Sequence, residues 1–378
     1  MKNPKAVFKV YSDLIDSISN GRLALLCLLD LTAAFDTVDQ HILLRCLDIT
    51  FGFRGSILSW LESYLDGRTQ SVLLNGQSTV PRSVVCGVPQ GSVLGPLLFT
   101  LYTADIGRII HSCGLSHHSY ADDNQLYASC IPSESAALKA KMIGCIASIG
   151  AWMVSNRLML NSSKSEFMWC ASPRRVHLID RSPFVLPDGP VSASSSVRNL
   201  RAYFDESMSM VENVNRLVRS CFYQLHRVRF TQRSLTTMAA TRLMNSFIIT
   251  RVDYCNSIFA GLPKQQLARI QSVLNVAARI IFGHVWFDHI TPTLRDRLHW
   301  LKVPQRIEFK RCLLVYKALH GQAPAYIASF CSEVSSTRRL RSSSHHRLQI
   351  PLLPRQSSSA SVRSQSAGQA HGTIYRMP

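Results

Sequence analysis

A chain of 378 residues with 46% hydrophobic content can hold two or three domains with real cores. The longest obvious apolar run, Leu23 to Leu29, is far too short to span a membrane, and Met1-Lys2-Asn3-Pro4-Lys5 lacks the apolar core of a secretory signal. The net charge of +19 is unevenly placed: residues 1–135 hold nine Lys+Arg against twelve Asp+Glu, and residues 136–378 hold 33 against 11, so a uniformly basic chain is excluded.

An acidic front and a basic back suit carboxylate chemistry joined to a surface that grips a polyanion, and charge alone does not separate this from a generic basic protein that sticks to nucleic acid. Eleven scattered cysteines, with no C-x-x-C and none closer than Cys130 and Cys145, fit neither a disulfide framework nor a zinc knuckle. They read as reduced, mostly buried thiols of an intracellular protein.

In chain order, Lys5 to Asn20 has the period of an amphipathic helix, with Val7, Val10, Tyr11, Leu14, Ile15 and Ile18 on one face and Gly21 as its stop. Leu23 to Leu29 has the continuous pattern of a strand buried on both faces, and Asp30 ends it at the edge of the core. Asp36 and Asp39 then introduce a helix through Leu47, as caps. Ser56 to Leu65 is a short helix, and Gln70 to Val85 a hairpin turning at Asn75-Gly76. The glycines of Gly87-Val88-Pro89-Gln90-Gly91 permit close backbone approach to a ligand, and Ser92 can cap the helix running on towards Asp105. Standing alone, that segment would equally be an ordinary turn before a buried helix.

Gly114 to Tyr120 and Gln125 to Ser129 are strand-like runs around Asp122-Asp123. Side chains alternate along strands, so a tight turn there aims at least one carboxylate out of the hairpin end. An isolated Asp-Asp pair is usually a solvated turn, and the third carboxylate, Asp30, argues for more. Glu134 to Asn156 is helical, and Leu158 to Cys170 reads as strand, turn, strand with Lys164 in the turn. Arg181 to Ser196 resembles a surface connection, and Val197 to Asp205 one more strand.

From Ser209 the pattern turns helical. Val211, Val214, Val218, Phe222 and Leu225 share one stripe, with Arg216, Arg219 and Arg227 opposite. A second helix runs from Pro263 to before Gly283, with Leu267, Ile270, Leu274 and Ile281 inward. A third, Pro304 to His320, carries Arg306, Lys310, Arg311 and Lys317. So many bases with few acids predict a phosphate-tracking surface. From Ser332 the chain is Ser/Arg-rich, with the composition of a disordered tail.

Strand-helix-strand-strand order can bring Asp30 beside Asp122 on neighbouring antiparallel strands. Oxygen-only ligands on a shallow sheet suit Mg²⁺, and two such ions serve in-line displacement at a phosphate. At this point the chain, from about Lys5 to about Arg347, resembles the reverse transcriptase of non-long-terminal-repeat (LINE-type) retrotransposons. Leu28 to Asp39 is similar to the family's first palm motif, Gly87 to Gly95 to its Pro-Gln-Gly motif, Tyr120 to Asp123 to its polymerase signature, and Leu160 to Lys164 to its fourth motif. Val197 to Asp205 resembles the primer-grip strand, and the later helices the thumb.

The resemblance implies an α+β polymerase palm, an antiparallel sheet with packed helices, over 23–206. A remnant of the fingers precedes it over 1–22, an all-helical thumb-like domain follows over 207–331, and the tail occupies 332–378. It implies Asp30, Asp122, Asp123 and Lys164 as catalytic residues, with Lys164 the proton donor to pyrophosphate. Asp30, the Leu31 carbonyl, Asp122 and Asp123 would hold two Mg²⁺ ions, with Mn²⁺ as a substitute. Phe35 would exclude a ribose 2′-hydroxyl, and Gln90 and Gly91 would contact the incoming nucleotide.

Implied partners are an RNA template, a DNA primer and deoxynucleoside triphosphates, with no membrane, in the nucleus or a cytoplasmic ribonucleoprotein. Three features depart from the family. Only 29 residues precede Asp30, where the family carries its fingers; Arg201 stands where a glycine is usual; and Gln40 stands where a histidine is common. They set the expectation of an RNA-directed DNA polymerase in a truncated copy. The alternative is a catalytically inactive retroelement remnant that binds RNA or RNA–DNA hybrid through its basic half.

Overall fold

Leu23–Leu29 forms the central strand of the molecule, as its unbroken apolar run predicts. The computed structural model describes residues 4–331 apart from Asp188 and Trp286, and the predicted Ser/Arg-rich tail lies outside the described residues. The chain divides into two units, one of residues up to 6 with 12–208, the other of 7–11 with 209 onward.

From the N-terminal side, α1 (Pro4–Ser19) leads into β1 (Leu23–Leu29), α2 (Gln40–Ile49) and α3 (Ser56–Leu65). The Asp39 side chain accepts the Ile42 amide at 3.0 Å and caps α2, as expected. Asp36 does not cap; it accepts a hydrogen bond from Gln90 instead. The predicted 70–85 hairpin is two small ladders, β2 (Thr69–Gln70) with β5 (Arg82–Ser83) and, within it, β3 (Leu73–Leu74) with β4 (Gln77–Ser78). Asn75 and Gly76 both have positive φ, the backbone of a type I′ turn. The helix expected to run to Asp105 breaks at Thr103 into α4 (Leu94–Tyr102) and α5 (Ala104–Ser112).

β6 (Ser116–Tyr120) and β7 (Asp123–Cys130) make the acid-tipped hairpin, followed by α6 (Ser135–Ser155) and β8 (Glu166–Cys170). The four strands stand in the order β6-β7-β1-β8, every neighbour antiparallel. The 181–196 segment is not merely a connection. It holds β9 (Phe184–Leu186) and β10 (Gly189–Val191), and Phe184 is fully buried. The next segment is a hairpin rather than one strand, β11 (Ser196–Asn199) with β12 (Ala202–Asp205).

Pairing of Cys27 with Leu126 and with Phe167 sets which side chains share a face. Leu23, Leu25, Cys27 and Leu29 face the helices and join Leu126, Phe167, Trp169, Phe99, Met142 and Ile149 in one core. α6 with the turn before it reaches the length and apolar content of a membrane span, although its lysines and serines break any continuous apolar run. Its Leu138, Met142, Cys145, Ile146, Ile149 and Met153 are nonetheless part of that same core.

The second unit is helical. α7 (Val211–Thr231) is followed by α8 (Thr237–Met244), which continues through a π-helical stretch (Asn245–Ile249) into α9 (Thr250–Asp253). After these come α10 (Lys264–Phe282), α11 (Val303–Leu319) and the short α12 (Ala325–Ala328). On α7 the buried seam is Val214, Cys221, Leu225 and Val228, so Val211 and Phe222, predicted on the apolar stripe, are exposed instead. α10 buries Ile270, Leu274 and Ile281 as expected, while Leu267 is only half-buried.

All eleven cysteines are reduced thiols, six of them buried. Burial pushes Cys221 up to about 11 and Cys255 to about 12, so both are neutral, inert packing groups.

Phe167, fully buried, stacks on Phe184 with ring centroids 4.1 Å apart, so this contact carries the β9–β10 hairpin onto the core. Phe167→Ala is expected to destabilise the chain by about 3–5 kcal/mol in urea denaturation, through lost apolar burial and the cavity left behind. A loss below about 1 kcal/mol would show that the site collapses or that the hairpin docks by other contacts.

Candidate active site

Alternation along the strands separates the apolar face from a polar one. Register pairs Leu28 with Gln125 and with Glu166, on the face away from the helix-packed core. Two residues along each strand, at the same end of the sheet, the same alternation carries Asp30 and Asp123. These two carboxylates, with Gln125, Glu166, Lys164, Arg198, Asn199 and Leu200, border an open cleft of about 380 Å³.

The 160–164 turn is tied to the end of β1. Leu31 bridges Leu160, the Asn161 amide donates to the Asp30 carbonyl at 2.9 Å, and the Thr32 amide donates to the Met159 carbonyl at 3.0 Å. The turn sets the Lys164 ammonium 3.5 Å from the Asp30 carboxylate. Lys164 remains 69% exposed, so water screens the pair, and its worth is electrostatic placement rather than stability.

The Gly87–Gly91 loop is laced to the segment after β1. The Gly87 amide donates to the Val38 carbonyl at 2.7 Å, the Val88 amide to the Phe35 carbonyl at 2.9 Å, and Gln90 Nε2 to Asp36 Oδ1 at 2.8 Å. Gln40, at the position where the family commonly has histidine, donates through Nε2 to the Gly87 carbonyl at 3.3 Å. Gly87 has φ +88°, and a Cβ there would stand 3.0 Å from the Asp36 carbonyl oxygen, so only glycine allows this approach. Phe35, half-buried, packs on Phe99 with ring centroids 4.6 Å apart.

The β11–β12 hairpin closes the other side of the cleft. Asn199 Nδ2 donates to Gln125 Oε1 at 3.0 Å, and both side chains are buried. A buried amide pair of this kind fixes the hairpin's orientation, because losing one partner would leave the other unsatisfied in a dry site. The turn itself is Leu200-Arg201, with φ of +45° and +75°, a type I′ geometry built without asparagine or glycine.

The sequence-predicted residues are therefore only partly gathered. Asp30, Asp123 and Lys164 border one cleft, whereas Asp122, Leu31, Phe35, Gln90 and Gly91 are not among its lining residues. Asp122 and Ala121 form the two-residue link between Tyr120 and Asp123, which pair as the last rung of the hairpin. The turn thus centres one residue earlier than expected, with Ala121 at φ +53°. Glu166, Gln125, Arg198 and Asn199 were missed, since nothing local in their sequence distinguishes them; only the strand register brings them together.

Among the described residues no three His, Cys, Asp or Glu side chains stand close enough to hold a metal ion. Asp30 and Asp123 do offer hard carboxylate oxygens to one cleft, and Lys164 already places a positive charge at Asp30. That donor set fits Mg²⁺ or Mn²⁺ in kind.

Residues 9–201 match the family model described as reverse transcriptase (RNA-dependent DNA polymerase). The chain is 26% identical over 276 residues to a probable RNA-directed DNA polymerase from transposon X-element of Drosophila melanogaster, covering 71% of this chain and 29% of that protein. It is 23% identical over 314 residues to the RNA-directed DNA polymerase from mobile element jockey of Drosophila funebris, covering 80% of this chain and 32% of that one. The chain thus spans about a third or less of the length of these relatives. A telomerase structure from Candida albicans, in complex with a fragment of telomeric RNA, covers 79% of this chain and 53% of its own at 13% identity. Its TM-score of 0.37 is too low to bear on the fold.

Arg201→Gly should stabilise the chain by roughly 0.5–1 kcal/mol. Relief of a positive φ exceeds the entropy that glycine adds to the unfolded state. The midpoint of chemical denaturation checks this, and a lower midpoint would mean that Arg201 makes contacts worth more than the strain.

Proposed function

From the premise that the chain belongs to the reverse transcriptase (RNA-dependent DNA polymerase) family, as a LINE-type, non-LTR member, we propose that it extends a DNA primer on an RNA template. The observation that carries the proposal is the β1–β7 register, which brings Asp30 and Asp123 to one cleft beside Lys164. A pair of divalent cations, when bound, supplies activation of the primer 3′-hydroxyl and neutralisation of the departing pyrophosphate.

The chain's own residues supply position and charge. Asp30 and Asp123, joined by Asp122 from the hairpin turn and the Leu31 carbonyl, would hold those cations. The Lys164 ammonium, 3.5 Å from the Asp30 carboxylate, is the proton donor to the leaving pyrophosphate oxygen. Phe35, braced by Phe99, walls off the sugar and rejects a 2′-hydroxyl. Gln90 and Gly91 meet the nucleotide and its template partner, and the Asp36–Gln90 hydrogen bond ties their loop to the Phe35 segment. The Leu200-Arg201 turn, anchored through Asn199, holds the primer end. Positioning of this sort accounts for much of the rate of a phosphoryl transfer.

The Asp122 side chain's place in the turn, outside the cleft lining, favours a second reading, an inactive chain that binds RNA or RNA–DNA hybrid. Primer extension on poly-A with oligo-dT separates the two. With Mg²⁺ or Mn²⁺ present, the chain should incorporate thymidylate, and the Asp122→Asn, Asp123→Asn double variant should fall by at least ~10²-fold, the scale set by lost electrostatic support of a transition state. Equal incorporation by the two proteins refutes the polymerase proposal. Silent proteins that still bind hybrid with steep salt dependence establish the second reading.

A further inference from the structure

The outer face of α7 lies opposite its buried seam and carries a pattern that the catalytic cleft does not use. At 100° per residue, Arg216, Arg219, Tyr223, His226, Arg227 and Phe230 fall within an arc of about 100°, centred opposite Val214, Cys221, Leu225 and Val228. All six are exposed, Tyr223 at 60% and Phe230 at 77%. Large exposed rings are usually scattered; here two stand two turns apart on one line, with arginines before and between them.

The rings are held rather than loose. The Arg227 guanidinium lies over the Tyr223 ring at 5.8 Å, and the His226 ring meets Phe230 edge-on at 4.7 Å. Glu212 is the only acid on α7, and its carboxylate is engaged by Arg216. Alternating guanidinium and aromatic groups match a polymer that alternates phosphates with flat rings. Neither a neutral protein surface nor a duplex backbone, whose bases are stacked away inside, uses both halves of the pattern.

We infer that this face of α7 is a binding track for single-stranded RNA, with unpaired bases stacking on Tyr223 and Phe230 and phosphates meeting Arg219 and Arg227. RNA is the template class named by the family, and the strand would be bound where it is unpaired. Tyr223 and Phe230 are about 10 Å apart along the helix, room for two or three stacked bases between them. The track is independent of the chemistry at Asp30 and Asp123, so it stands even if the chain does not polymerise.

Fluorescence anisotropy of a labelled 12-nucleotide RNA and of a 12-base-pair RNA duplex, with the full chain, tests this. Tyr223→Leu and Phe230→Leu keep apolar area but remove the π faces, and each should weaken single-strand binding about tenfold with little effect on the duplex. Tyr223→Phe should bind as the parent does. Arg219→Gln and Arg227→Gln should each flatten the slope of log affinity against log salt by about 0.7.

Because all these positions are exposed, melting temperatures should stay unchanged, which separates lost binding from lost folding. Unchanged single-strand affinity in both leucine variants, or equal losses on single strand and duplex, overturns the inference. So does binding by this face to anionic phosphatidylserine vesicles but not to RNA. Loss of primer extension with stacking intact would count against the polymerase proposal alone.

Discussion

The antiparallel register of β1 against β7 is the constraint on which the first unit depends. Cα pairing of Leu29 with Asn124 fixes which side chains point to the helices and which away from them. Shifted by one residue, Leu25, Cys27 and Leu29 would leave the core, and Asp30 would enter it. Burying an unpaired carboxylate costs several kcal/mol, and so does each exposed leucine summed along the strand. The apolar packing of β1 therefore specifies the position of the acids. Their arrangement follows from where the leucines must go.

The other side of the cleft is held by different means. β11–β12 reaches the sheet through Asn199 and Gln125, a polar contact in a buried setting. Gln125 Oε1 is satisfied by Asn199, while its Nε2 has no hydrogen-bond partner among the described residues. A net gain of about 1 kcal/mol from one bond is offset by a similar cost for the unmet donor, so the contact orients more than it stabilises. The same hairpin spends conformational energy on two non-glycine residues at positive φ. Rigidity and strain thus meet at the cleft edge, and under the proposed phosphoryl transfer that is where positioning would matter most.

Legibility in the sequence follows the range of the forces involved. β1, α3 and the Asn75-Gly76 turn declare themselves locally, through an unbroken apolar run, a helical period and a turn dipeptide. β9 and β10 are short and flanked by proline, and they are held by long-range contacts such as the Phe184–Phe167 stack and the Lys139 ammonium over the Phe184 ring. The Leu200-Arg201 turn has no turn residues, so the hairpin reads as one strand. Arg306, grouped by composition with phosphate-tracking bases, is 11% exposed and engages Asp253 through two hydrogen bonds of 3.1 and 2.8 Å. Its partner lies 53 residues away, a separation over which charge counting is blind.

The two adjacent acids illustrate how local sequence can mislead about geometry. Neighbouring side chains on an extended strand point to opposite faces, so Asp122 and Asp123 cannot both reach one cleft while both are in β7. The protein resolves this by starting β7 at Asp123 and leaving Asp122 in the turn, with Ala121 at positive φ. Joint service of the two at one site must then come from the turn's own backbone, since sheet register governs Asp123 alone. Like-charge repulsion works against close approach of Asp30, Asp122 and Asp123 until a cation offsets it. Lys164 meets part of that need at Asp30, and it does so from a turn whose backbone is bound to the same strand end. Acid placement is thus divided between the sheet register, which fixes Asp30 and Asp123, and two turns, which carry Asp122 and Lys164.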